Sequence, residues 1–254
     1  MSIGIVTRDT CYFCVKIQWL RVKKAASKKG FLLFPDSRLC YNSSMDITYL
    51  GHSCFRIRGS QAIIITDPFP PTMGYTLGKQ TADIVTVSHQ NPGHSYIQGV
   101  TGAHVIKGPG EYEIAGVLVL GITTFHDAVK GQTKGKNTVY LMEVDGLNIC
   151  HLGDIGHVLS DEQLEEIGHI DIMMVPVGGV STINANQAAQ MVRKIEPKVV
   201  IPMHYKTVQS KRDLEPVDSF LKEMGVTLME PKPKLSITKN NLPLVLQVTV
   251  LTTI

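Results

Sequence analysis

The stretch Asp83-Ile84-Val85-Thr86-Val87-Ser88-His89-Gln90-Asn91-Pro92-Gly93-His94-Ser95 carries an apolar run straight into two histidines five positions apart. An apolar run closed by Ser, Asn, Pro and Gly reads as a buried strand feeding a loop, and a loop at a strand end is where a rigid scaffold presents ligands. The loop has the look of a metal site with some of its donors missing.

Upstream, Met45–Leu50, Cys54–Arg58 and Gln61–Thr66 alternate or run apolar, with Gly51 and Gly59-Ser60 as turns, so an antiparallel meander is expected. Its turns carry His52 and the dipeptide Asp67-Pro68. Downstream, short strands are expected at His104–Lys107 and Tyr112–Ala115, and a longer one, Val117–Thr124, ends in Phe125-His126-Asp127. Thr138–Val144 and Leu147–His151 form a hairpin through Asp145-Gly146, and its second strand runs into Leu152-Gly153-Asp154.

Beyond Asp154 the period changes from two to about 3.6. Ser160-Asp-Glu-Gln163 is a capping box opening a short helix that Gly168 closes, and Ile170–Val175 is a buried strand. Asn186–Glu196 places Ala188, Met191, Val192 and Ile195 on one helical face before Pro197, and Val199–Pro202 is a strand ending at Met203-His204-Tyr205. A helix near Leu214–Met224 and strands near Leu235–Thr238 and Leu244–Leu251 complete the pattern. Strands first, then strand and helix in alternation, predict sheets with helices on their outer faces in one domain, 45–254.

The net charge of +3 conceals an asymmetry. Residues 1–44 hold eight Lys or Arg against Asp9 and Asp36, leaving 17 basic and 20 acidic residues from Met45 onward. A body at −3 has no basic footprint for nucleic acid, and no apolar run approaches the roughly 18 residues of a membrane span. Residues 1–44 read as a leader, either poorly ordered or the product of start-codon choice with Met45 as the natural start. Cys11-Tyr-Phe-Cys14 has zinc-knuckle or redox spacing, yet no second pair accompanies it. Five scattered cysteines form no disulfide framework, and all nine histidines lie beyond Met45, which together fit a cytoplasmic protein with His-based metal chemistry.

Five ligand-type residues thus stand where strands give way to loops: His89, His94, His126, Asp154 and His204. Any one histidine there is more often a hydrogen-bonded surface residue; the set of them points to a metal. In order and context they resemble the metallo-β-lactamase-fold hydrolases, whose hallmark loop H-x-H-x-D-H is followed by a later His, a Gly-Asp and a final His. His89, Asn91, Gly93 and His94 occupy the loop positions, and His126, Asp154 and His204 the later ones. Gly51-His-Ser-Cys-Phe55 and Thr66-Asp-Pro68 look like the opening of the branch that includes the ascorbate-6-phosphate lactonase-like hydrolases.

The resemblance runs from about Met45 to the C-terminus. It implies an α/β (α+β) fold, a four-layer αβ/βα sandwich of two mixed sheets face to face with helices outside and the metal site along one edge. It implies one or two divalent cations, Zn or Mn, that acidify a water and polarise the scissile group. The carried-over roles are His89 and His126 on the first metal, His94 and His204 on the second, and Asp154 between them; His52 is placed nearby as a hydrogen-bond partner of substrate or hydroxide.

Two positions depart from the family pattern. Asn91 replaces an imidazole with a hard, neutral oxygen that suits Mn, Mg or Ca better than Zn, and is expected as a weak fourth ligand of the first metal. Gly93 replaces a carboxylate and supplies nothing, while Pro92 keeps the loop's shape. His52, Asp67, His151 and Glu111 have the chemistry to compensate, and Gly178-Gly179 is expected as a tight loop at the site mouth. The expected function is therefore metal-dependent hydrolysis of a small ester, lactone, amide or phosphoester. The rival is a catalytically impaired member that keeps the fold as a binding or scaffolding module. The expected partner is a small-molecule substrate, without nucleic acid or membrane, and self-association into a homo-oligomer is left open.

Overall fold

In the computed structural model the described residues are 44–227 and 229–253. The expectations for the leader and for the Cys11/Cys14 pair lie outside the described residues. Three antiparallel strands open the domain: β1 (Met45–Gly51), β2 (Cys54–Arg58) and β3 (Ile63–Thr66). In β1 and β2 buried and more exposed residues alternate, as the pleat requires of a sheet with one face on a core. The fully buried β5 (Ile84–Val87) joins β3 in parallel, and β7 (His104–Lys107) follows in parallel. A two-residue ladder of β4 (Gln80–Thr81) with β6 (Val100–Thr101) lies between them in sequence and is too short to show any periodicity.

The second sheet begins as a meander of β8 (Gly110–Ile114), β9 (Val117–Phe125), β10 (Lys136–Val144) and β11 (Leu147–His151). Asp145 and Gly146, both left-handed, make the β10–β11 turn expected of an Asp-Gly pair. Parallel strands β12 (Ile172–Pro176) and β13 (Val199–Met203) then alternate with α1 (Asp161–Ile167), α2 (Ala185–Ile195) and α3 (Val217–Glu223). The Ser160–Gln163 capping box forms, and α2 begins on a second one from Asn184 and Gln187. β14 (Leu235–Ile237) returns to pair with β1, and β15 (Gln247–Val248) closes the second sheet beside β13. The result is a six-stranded sheet, β14-β1-β2-β3-β5-β7, and a seven-stranded one, β15-β13-β12-β11-β10-β9-β8.

One core joins residues of both sheets, such as Ile57 and Ile64 with Val139 and Ile149, to Ile167, Met191 and Phe220 of the three helices. A second, smaller core covers the other side of the first sheet, where Phe69, Met73, Tyr75 and Leu77 pack on Ile65, Val85 and Val87. The αβ/βα arrangement holds, but over the first sheet this loop and its short 3₁₀ turn Pro71–Met73 do the covering. The last strand is also shorter than Leu244–Leu251, because only Gln247 and Val248 reach register with Val199 and Val200; Leu244 and Val245 face solvent.

Candidate metal centre

The carboxyl ends of strands from both sheets meet at one edge. The β1–β2 turn brings His52 and Ser53, β3 ends at Asp67, and β5 ends at Ser88 and His89. From the other sheet, β9 delivers His126, β11 is followed by Asp154, and β13 is followed by His204. Backbone hydrogen bonds between the two sets fix this meeting: His204 N–H donates to His52 O at 2.8 Å, and Thr138 N–H to Ser88 O at 2.8 Å. Ligands commonly bind off the carboxyl ends of strands, where side chains from several elements converge.

Here they converge on one oxygen. Asp154 Oδ2 lies 3.1 Å from His94 Nε2, 3.3 Å from His204 Nε2 and 3.8 Å from His126 Nε2. Asp154 Oδ1 accepts from Ser53 Oγ at 3.2 Å, which steadies the carboxylate, and the Asp154 backbone N–H donates to Asn137 Oδ1 at 3.0 Å, which holds the turn that carries it. Three groups each gather donor atoms within 4.8 Å of one another: His89, His126 and Asp154; His52, His94 and His204; and Asp67, His89 and His94. Ligands at 2.0–2.1 Å from a tetrahedral zinc stand about 3.3 Å apart, the spacing seen around Asp154 Oδ2.

Asp67 orients both loop histidines from behind. It is fully buried, and its Oδ2 accepts from Ser88 Oγ and from His94 Nδ1 at 3.0 Å. Since the Ser88 proton goes to Asp67, Ser88 Oγ is free to accept His89 Nδ1–H at 3.0 Å. His89 Nε2 is then a bare lone pair, buried and without a hydrogen-bond partner. A carboxylate holding the distal nitrogen is the usual way to aim an imidazole at a metal. The residues present therefore fit a bound cation: lone pairs face one another with no donor to satisfy them all.

The electrostatics point the same way. Burial opposes charge on His94, yet Asp154 and Asp67 outweigh it and raise its pKa to about 10. Burial, helped by the positive His94, lowers His89 and His204 to about 4. Burial likewise lowers His52 and His126, so one imidazolium stands among neutral imidazoles. Asp154 stays ionised well below the usual range: burial acts against it, but His204 and His94 prevail.

Backbone strain gathers here too. His52, Asp67 and His204 all have left-handed backbones, with φ of 56°, 39° and 52°. Residues other than Gly adopt this region at a cost, smallest for Asn and Asp, and such residues cluster at functional sites. Gly178 makes the His204 turn possible, since a Cβ there would lie 2.2 Å from His204 O.

The structure thus brings together His52, Asp67, His89, His94, His126, Asp154 and His204. Asn91 Oδ1 accepts Gly93 N–H at 2.9 Å, closing a turn inside the loop. A Cβ on Gly93 would meet Met73 Sδ and Cε at 3.2 Å, so a side chain there needs the flexible end of Met73 to give by a few tenths of an ångström. Glu111 lies exposed on β8, and His151 is buried with Nε2 on Ser53 O at 2.8 Å. Ser53, Ser88 and Asn137 were not expected; a Ser or Asn near a strand end gives no signal of which distant group it will hold, a carboxylate for the two serines and the Asp154 backbone N–H for Asn137.

Comparison with known proteins gives three findings. The family model described as the beta-lactamase superfamily domain matches residues 46–204. A UPF0173 metal-dependent hydrolase of Pyrococcus furiosus is 31% identical over 192 residues, 63% of this chain and 84% of the relative, and one of Methanospirillum hungatei is 28% identical over 225 residues, covering 77% and 100%. Among solved structures, a Thermotoga maritima protein described as a candidate Zn-dependent hydrolase of the metallo-beta-lactamase superfamily is 40% identical, with a TM-score of 0.67, covering 82% of this chain and 98% of that one.

Proposed function

We propose a metal-dependent hydrolytic function from one premise: this chain belongs to the beta-lactamase superfamily and, within it, to the UPF0173 metal-dependent hydrolases. The observation that carries the reading is the convergence of His94, His126 and His204 on Asp154 Oδ2. His89 and His126 would hold one ion and His94 and His204 another, with Asp154 shared between them. The imidazole-rich donor set favours zinc over manganese. A divalent cation bound there lowers the pKa of water toward neutrality and polarises a scissile carbonyl or phosphoryl oxygen.

The chain's own contribution is positioning. Asp67 keeps His94 aimed through Nδ1 and holds His89 through Ser88. Ser53 holds the Asp154 carboxylate, and Asn137 holds the Asp154 backbone N–H. The substrate class we infer is a small ester, lactone, amide or phosphoester, consistent with the resemblance of Gly51–Phe55 and Thr66–Pro68 to lactonase-like sequences. We place this activity in the cytoplasm; Cys54 and Cys150 are free thiols, and among the described residues no helix is long and apolar enough to cross a membrane.

Gly93 favours a second reading, a binding module with an impaired site, because its position supplies no donor. Metal analysis together with hydrolysis of ester, lactone, amide and phosphoester panels under zinc and manganese separates the two. Turnover with bound metal supports the hydrolase; metal bound at the site without turnover of any class supports the binding module.

A further inference from the structure

We propose that His52 is a protein ligand of the second metal ion, completing with His94, His204 and Asp154 the coordination that Gly93 leaves without a carboxylate. The inference rests on the two-ion reading above and departs from a hydrogen-bonding role toward substrate. His52 Nε2 lies 3.0 Å from His94 Nε2, and donor atoms of His52, His94 and His204 all fall within 4.8 Å of one another. Its ring centroid is 4.5 Å from that of His94 and 4.4 Å from that of His204.

A hydrogen bond between His52 and His94 alone does not account for this. His94 Nδ1 is engaged by Asp67, so Nε2 has one proton at most, and both Asp154 Oδ2 at 3.1 Å and His52 Nε2 at 3.0 Å compete for it. A cation that accepts every lone pair satisfies all of them at once. The imidazole is also rigidly presented. His52 is 1% exposed, and its carbonyl accepts from Tyr49 Oη at 2.7 Å and from His204 N–H at 2.8 Å. That last bond ties the two imidazole-bearing turns together, so His52 and His204 are held as one unit. A donor at Gly93 would belong to the loop after β5; His52 arrives from the β1–β2 turn instead.

The test is cobalt loading of wild type and His52→Gly, read by metal content and by the visible absorption of bound cobalt. Glycine suits φ 56° without strain, which favours a folded variant. Wild type is expected to bind two cobalt ions per chain, and His52→Gly one, with the second ion restored by added free imidazole. Should His52→Gly not fold, His52→Asn, which also tolerates the left-handed backbone, is measured in its place and is expected to weaken the second ion at least tenfold. Two ions with unchanged absorption in whichever folded variant is measured would overturn the role of His52 while leaving the metal centre intact. Failure of wild type to bind cobalt would instead remove the metal-centre reading itself, and this inference with it.

Discussion

Asp67 makes no direct claim on a metal in the reading above, yet it governs the two histidines that do. Removing its charge with Asp67→Asn frees His94 Nδ1 and loosens Ser88, and with it His89. Loss of such an outer partner typically costs about 10–100-fold in metal affinity, which chelator competition would measure; an unchanged affinity would remove Asp67 from the site. His94 gives a second test at this scale. With its pKa raised to about 10, it is protonated near neutral pH and must lose that proton to become a ligand. Zinc binding should therefore release about one proton per chain from this group, visible as a binding enthalpy that varies with the ionisation enthalpy of the buffer. Gly178→Ala should displace His204, because the clashing atoms at 2.2 and 2.9 Å are backbone atoms of His204 and Tyr205. We expect a loss of about 1–3 kcal/mol in stability and weaker binding of the second ion.

At the scale of elements, strand ends were what the sequence revealed best. β2, β7 and β11 fall at the expected residues, and α1 sits between the expected Ser160 cap and Gly168. The ligand candidates were legible for the same reason: each follows an apolar run that ends abruptly. What was not legible depends on contacts between distant segments. Nothing near Asn137 in the chain shows that it holds Asp154, and nothing near Met73 shows that it lies under Gly93. The outer side of the first sheet is covered otherwise than expected for a related reason, since an irregular loop can bury Phe69, Tyr75 and Leu77 without any helical period. The Asn91–Gly93 loop yields a prediction of its own. Gly93→Asp should add little to wild-type metal binding but restore the second ion in His52→Gly, and should do so more fully alongside Met73→Ala, which clears the 3.2 Å contact. As a control element, Ser160→Ala should cost about 1 kcal/mol through the lost α1 cap and leave metal content unchanged.

For the whole molecule, stability and site occupancy are coupled through protons and metal. In metal-free protein His89 and His204 stay neutral down to about pH 4, whereas the unfolded chain takes up their protons near 6.5. The unfolded state binds more protons in that window, so stability falls as pH drops from 6.5 toward 4. His94 acts in the opposite sense: its contribution is complete below 6.5 and is lost as pH rises through about 10. Thermal unfolding of chelated protein across this range should show both limbs. Metal adds to stability whenever it binds the folded state alone, by about 4 kcal/mol at a free concentration a thousand times Kd. The two sheets meet at the site through His204–His52 and Thr138–Ser88, so this gain belongs to the packing of one sheet on the other and is not confined to a loop.

The most direct measurement is the metal content of wild-type protein stripped with chelator, reconstituted with zinc and freed of excess ion. Two zinc ions per chain, with a raised unfolding temperature, are expected. Less than one per chain and no thermal shift would mean that His89, His94, His126, Asp154 and His204 converge for some purpose other than holding metal.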